Sequence, residues 1–403
     1  MGLLEMLGLG RVTHAMGTPP NEVRRGDDMP LRQGGRPQGA AVQLVAGNVV
    51  TPLRDQGYSA DWFMGNKLFE LRPEDQPPKA FRAPTPGRPE VYQYARRYMS
   101  DIAESYSLPV TFFNREVEGW HMFLWNGVKM NGLQVVTAIP ASVTPEQVNK
   151  LWSYAYLSYG NVSKPVLTLA PGLSGWNALD TAWSKLALPE TKPLWLTSSD
   201  APSRPAFRQP NESGVQLIVA HPAYETGRKA LAYFTAPVIV RNQDAQPAHG
   251  AEPQRIAALR QSAEQVLALA GLTAKDVGTV MRDSGRGTRE ANARLGDTGA
   301  ALYEMFPGLQ ITKDSMDMSS LLGELGEPTL NYWLLMAGFA CHERRHPVLY
   351  LSSRDPDAAR AMLVLPAPDY SATDMARRNR EGSNAKMWNR PWWGERKDGK
   401  PDY

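Results

Sequence analysis

The 403-residue sequence predicts an α/β fold built from two halves. Three observations predict it. Short β-branched runs alternate with helically spaced apolar residues from Ala41 to Leu365, the pattern of helices layered on a sheet. Glycine loops stand between a strand pattern and the next helix, as at Asp283-Ser-Gly-Arg-Gly-Thr288. The chain is 42% hydrophobic with 11 tryptophans, enough for a large core.

Residues 1–40 read as an N-terminal segment and linker. They are apolar from Leu3 to Val12, then rich in Gly, Pro and Arg. The first half, 41–250, opens with a strand at 41–46 and carries insertions, among them a proline-rich passage at 72–89. Tyr92, Tyr94, Ile102 and Tyr106 give 89–106 the face of a core-packed helix. Strand patterns follow at 110–113, 121–125 and 133–138, with Asn126-Gly127 as a hairpin signal. Thr144-Pro-Glu-Gln147 combines a cap, a proline at the first helical position and a capping-box glutamine, so a helix starts there. Strands at 166–169 and 194–196 flank a helix at 178–186, and strands at 214–220 and 236–240 complete the half.

The second half spans 251–366. Ile256, Leu259, Ala263, Val266 and Leu267 mark the buried face of a helix over 255–270, which Gly271 ends. Thr273 sits where a cap is wanted, and 276–280 reads as a strand. The glycine loop then feeds a small-residue helix through Leu302, followed by a strand at 309–311. Leu322-Gly-Glu-Leu-Gly-Glu-Pro328 leads into a strongly apolar helix from Thr329 to about Cys341. Strands at 347–351 and 361–365 close the unit.

Residues 367–403 form a C-terminal arm. From Ser371 it holds eight Lys/Arg against five Asp/Glu, which supplies the whole net charge of +3. The body is therefore neutral, which argues against a charge-built nucleic-acid surface. Trp388, Trp392 and Trp393 lie in this polar arm, where exposed tryptophans commonly anchor a contact, with a partner or with the chain's own body. One cysteine, Cys341, excludes an intramolecular disulfide. No run is long and apolar enough to span a membrane, and the opening lacks the pattern of a signal peptide. The expectation is a soluble, cytoplasmic chain.

The order of helix, strand, glycine loop, helix, strand, glycine loop, buried helix and hairpin over about 115 residues resembles the second half of the thiolase and β-ketoacyl-synthase superfamily. The resemblance implies a thiolase-like fold of two stacked α/β halves forming a layered core, with N- and C-terminal extensions. In that family a strand ends in His-Gly-Thr-Gly-Thr, and a later Lys leads to Gly-His at the start of a buried helix. Here Ser284-Gly-Arg-Gly-Thr288 stands at the first motif, and Lys313 with Leu322-Gly-Glu324 at the second. Ser284 and Glu324 thus replace the two histidines.

Condensation in that family runs through a cysteine thioester, which needs an activated thiolate at a strand-to-helix turn in the first half. No cysteine precedes Cys341. A chain of this fold lacking the cysteine and both histidines is expected not to be an enzyme. Two alternatives remain. His342-Glu343-Arg-Arg-His346 matches His-Glu-x-x-His, in which two histidines one helical turn apart share a zinc ion and the glutamate acts as base, as in a hydrolase. Asp355 or Asp357 would then be the third ligand. A degenerate condensing enzyme retaining acyl or coenzyme A binding is the other. Gly172-Leu-Ser-Gly-Trp176 fails Gly-x-Ser-x-Gly by one position and reads as a plain loop.

Overall size, the opening Leu4-Glu-Met-Leu-Gly-Leu-Gly10 and Leu322-Gly-Glu-Leu-Gly326 resemble one family in particular, the adapters that load lipase effectors onto the type VI secretion spike. That resemblance implies a non-catalytic chaperone without cofactor or metal. Its partners would be a lipase effector and the spike protein, with homodimerisation open.

Overall fold

A computed structural model gives the architecture. It describes residues 31–32, 35–50, 134–140, 146, 166–200, 213–248, 250, 252–285, 288–317, 325–370, 392–393 and 397. The expected helix at 89–106, the strands at 110–113 and 121–125 and most of the helix opening at Thr144 lie outside them.

In chain order the strands are β1 (Leu31–Arg32), β2 (Arg36–Pro37), β3 (Ala40–Val50), β4 (Gln134–Ala138), β5 (Val166–Leu169), β6 (Leu194–Asp200), β7 (Ser213–Ala220), β8 (Ala232–Thr235), β9 (Val238–Arg241), β10 (Thr279–Asp283), β11 (Ser315–Met316), β12 (Val348–Ser352), β13 (Ala358–Pro366) and β14 (Trp392–Trp393). The helices are α1 (Trp176–Lys185), α2 (Gln254–Leu269), α3 (Arg289–Met305), α4 (Ile311–Asp314) and α5 (Thr329–Arg344). The α/β class expected from the sequence is borne out. The chain divides into two compact units, one of residues 1–43, 231–319 and 336–385, the other of 44–230, 320–335 and 386–403.

In the first unit the strand order is β11-β10-β12-β13-β8, with β9 also on β13. β10 runs parallel to β11 and β12, while β13 is antiparallel to β12, β8 and β9. Every residue of β10, β12 and β13 is buried, and β12 and β13 accordingly read as near-continuous apolar runs. α2 packs on β13 and against α3. Its buried face includes Leu259, Ala263, Val266 and Leu267 as expected, with Ile256 half-buried and Ala257, Ala258 and Ser262 completing the stripe. Each fully buried Leu or Val contributes about 1.5–3 kcal/mol of transfer free energy.

Three sequence expectations are corrected here. The strand expected at 276–280 begins at Thr279, because Asp276 is taken by a capping box: its carboxylate accepts from Thr273 N at 2.8 Å and from Thr273 Oγ1 at 2.9 Å. The strand expected at 309–311 is β11, after the single-turn α4, whose Asp314 carboxylate accepts from Gln310 N at 2.7 Å. The strand expected at 236–240 begins only at Val238, as β9, after Ala236-Pro237 separates it from the preceding β8; proline lacks the N–H a ladder needs.

In the second unit the order is β3-β7-β6-β4-β5, with β6 antiparallel to β7 and β4 parallel to both β6 and β5. α1 packs on β4 and β6 through Trp176, Ala178, Leu179, Ala182 and Trp183. Gly47 in β3 leaves room for Leu335 of α5: a Cβ there would lie 2.2 Å from Leu335 Cδ1. β14 adds antiparallel to β3, Trp392 opposite Gly47 and Trp393 opposite Ala46.

Candidate functional site

In the second unit, β5 runs into α1 through the turn Pro171-Gly-Leu-Ser-Gly175. Leu173 and Ser174 both have φ of 53°, the left-handed region, which costs a non-glycine residue about 1 kcal/mol or more. Gly172 and Gly175, at φ 108° and 99°, supply the conformations that a side chain resists. The turn is held from the segment that opens α5. Gly172 N–H donates to both carboxylate oxygens of Glu327 at 3.0 Å each, while Gly175 N–H donates to Gly172 O at 3.3 Å. Burial pushes the Glu327 carboxyl above its usual range, and the hydrogen bond from the Gly172 backbone opposes that shift. A Cβ on Gly175 would lie 2.9 Å from Glu327 O and 3.3 Å from Leu330 Cβ, so glycine permits the approach.

In the first unit, Ser284 follows β10 and is 1% exposed. Its hydroxyl accepts from Ser353 Oγ at 3.1 Å and lies 3.4 Å from Thr298 Oγ1. Thr298 Oγ1 donates to Arg294 O at 2.8 Å and lies 3.0 Å from Ser353 Oγ, while Arg294 Nε donates to Ser284 O at 2.9 Å. These bonds tie β10, α3 and the end of β12 together. The neighbouring Asp283 carboxylate, 1% exposed, is gripped by Arg354 through Nε at 3.0 and 2.9 Å and Nη2 at 2.7 Å. Ser284 is thus a buried hydroxyl inside a hydrogen-bonded network.

The histidine pair is not assembled as zinc chemistry requires. α5 ends at Arg344 and Arg345 turns left-handed at φ 58°, so His346 leaves the helical face that His342 occupies. His342 is fully buried, its Nδ1 2.9 Å from Leu231 O and its ring edge-on to Tyr370 with centroids 4.5 Å apart. The carbonyl can only accept, so Nδ1 carries the proton. His346 packs against Gly278, where a Cβ would fall 2.3 Å from the ring, and burial reinforced by Arg344 pushes it down to about 3. Glu343 falls within α5 between them. Asp355 pairs with Arg360 at 3.3 Å and accepts from Asp357 N at 3.0 Å. Among the described residues no group of three or more His, Cys, Asp or Glu is placed to hold a metal. Cys341 is fully buried, its Sγ 3.5 Å from Val364 O, and burial pushes the thiol far above its usual range.

Of the remaining candidates, Lys313 falls in α4, while Glu324 and Trp388 lie outside the described residues. Trp392 and Trp393 form β14, and beyond them Lys397 N donates to Gly227 O at 3.0 Å and its Nζ meets Glu225 at 2.7 Å. The arm thus returns to the second unit. Sequence reasoning missed Glu327 and Ser174. The signal for Glu327 was the doubled Leu-Gly-Glu of 322–327, whose second copy stands nearer the start of α5.

No family model matches the chain, and no curated protein matches it. Among solved structures, an oxazolomycin ketosynthase domain of Streptomyces albus is similar at 14% identity and TM-score 0.49, over 81% of this chain and 96% of that one. The 3-oxoacyl-[acyl-carrier-protein] synthase III of Aquifex aeolicus is similar at 12% identity and TM-score 0.40, over 80% and 99%. Human mitochondrial 3-ketoacyl-CoA thiolase is similar at 11% identity and TM-score 0.42, over 80% and 97%. These are likenesses of fold; they assign no activity and no site to this chain.

Proposed function

We propose that this chain is a non-catalytic adapter that binds a lipase effector and delivers it to the type VI secretion spike. The observation that carries the proposal is the state of its only cysteine. Cys341 is fully buried, set against a strand carbonyl, with its thiol pushed far up, so it offers no thiolate for acyl transfer. Ser284, which the resemblance sets at the first family histidine position, is buried and engaged on the protein's own hydroxyls. An α/β body of this kind, without the groups a condensing enzyme uses, is a scaffold for binding. The choice of partner rests on the resemblance of 4–10 and 322–326 to the adapter family. The action is proposed to be cytoplasmic; among the described residues no helix is long and apolar enough to cross a membrane.

The tryptophan arm carrying Trp388, Trp392 and Trp393 is the proposed contact segment. The test is co-expression with the lipase effector of the same host, followed by size-exclusion chromatography with light scattering. A stoichiometric complex, weakened when the three tryptophans are changed to alanine, supports the proposal. Two independently eluting proteins refute it.

A further inference from the structure

We propose that the free edge of β9 is a docking slot for an extended segment of another protein, one that carries an acidic residue two positions before an apolar one. Among the described residues β9 pairs with β13 alone. Past Arg241, which stands opposite Ala358, the ladder continues with Asn242 N–H donating to Asp357 O at 2.8 Å. Hydrogen-bonded and non-hydrogen-bonded positions alternate along an antiparallel pair, so Val238 and Val240 direct their backbone groups to β13, while Ile239 and Arg241 direct theirs away from it. Two N–H and two C=O groups therefore line the outer edge. That is the spacing an added strand pairs with.

A short edge by itself is commonly blunted rather than used. This one opens on a groove of about 460 Å³ walled by Ile239, Val240, Arg241, Asp244 and, from α2, Gln261 and Gln265. Ile239 is 44% exposed, an apolar side chain left in water on the edge strand. Arg241 is exposed and enters no ion pair among the described residues. The two side chains share one face of the strand. An incoming antiparallel strand sets one residue opposite Arg241 and, two positions later, another opposite Ile239, so a carboxylate followed by a β-branched or aromatic side chain complements them. Asp244 is exposed at the end of the groove and disfavours a run of acids, which leaves room for a single carboxylate. Pro237 lies just before the strand and confines the slot to these two residues. A second copy of this chain fits less well. Pairing β9 with β9 brings only Ile239 or Arg241 to those places and never a carboxylate. The inference does not depend on the adapter reading.

The test is fluorescence anisotropy of the full chain with labelled synthetic peptides, Thr-Thr-Glu-Thr-Val-Thr-Thr and the same peptide with Lys for Glu. Wild type is expected to bind the Glu peptide about three- to tenfold more tightly than the Lys peptide, and Arg241→Glu to reverse that order. A Glu peptide N-methylated at its Glu and Val cannot donate to the Ile239 and Arg241 carbonyls, and its binding is expected to be lost. The three peptides on wild type decide the matter even where Arg241→Glu does not fold. Equal affinity of wild type for the Glu and Lys peptides overturns the proposal, as does undiminished binding of the N-methylated peptide, an unreversed order in folded Arg241→Glu, or no saturable binding up to about 1 mM.

Discussion

Changing Arg354 to alanine isolates the ion pair that holds the buried Asp283 carboxylate of the first unit. Asp283 is 1% exposed and the Arg354 side chain 19%, and three N–H···O contacts of 2.7–3.0 Å join them. Without Arg354 the carboxylate keeps, among the described residues, Gly285 N–H at 3.3 Å and the Tyr350 hydroxyl at 3.4 Å, both long. Breaking a buried ion pair from one side costs about 3–5 kcal/mol, because a buried charge is left behind. The partial exposure of Arg354 lets water reach the vacated site, which places this case near the lower end, about 3 kcal/mol. Because that cost comes from the stranded charge, the paired change Asp283→Asn with Arg354→Met is expected to recover most of it, ending within about 1 kcal/mol of wild type. Urea unfolding followed by far-ultraviolet circular dichroism measures all three proteins. An Arg354→Ala midpoint indistinguishable from wild type refutes the reasoning, as does a double variant no more stable than Arg354→Ala.

Other perturbations follow from the same contacts. Gly278→Ala drives a methyl to 2.3 Å from the His346 ring, so it is expected to lower stability by about 1–3 kcal/mol, read as a drop in thermal midpoint. Glu327 has a raised pKa in the folded chain, so the fold binds its proton more tightly than the unfolded chain does. Its contribution is fullest below the ordinary carboxyl range and is lost as pH rises through the raised value. The melting point of wild type relative to Glu327→Gln is accordingly expected to fall with rising pH, and a flat or rising difference contradicts the assignment. Cys341 is expected to resist maleimide labelling in the native chain at pH 8 and to label fully in denaturant; rapid native labelling contradicts its burial.

Helices were the most legible part of the fold, because their signals are local. The stripe Leu259, Ala263, Val266, Leu267 and the cap at Thr273, which forms a capping box with Asp276, are both visible within a few residues of sequence. The strands at 276–280 and 309–311 were misplaced because Asp276 and Asp314 bind nearby backbone and turn the chain first, a competition that apolar patterning does not register. The Ser174 turn was illegible for another reason. Leu173 and Ser174 give no sign of a left-handed backbone, and the carboxylate that meets their turn stands 155 residues away. The spacing of His342 and His346 suggested a shared helical face, and Arg345 at φ 58° removes it. Ser284 was placed correctly after a strand, but only its neighbours Thr298 and Ser353 reveal that it is held.

The central claim is that the chain binds a lipase effector and performs no acyl chemistry itself. Native mass spectrometry of the protein captured gently from its own host's lysate tests this most directly, with each partner identified by fragmentation. The account predicts a specific complex with a lipase and no covalent acyl adduct or bound metal on the chain. A chain found free of any lipase, carrying one zinc ion that is lost with a hydrolytic activity in His342→Ala, would contradict it.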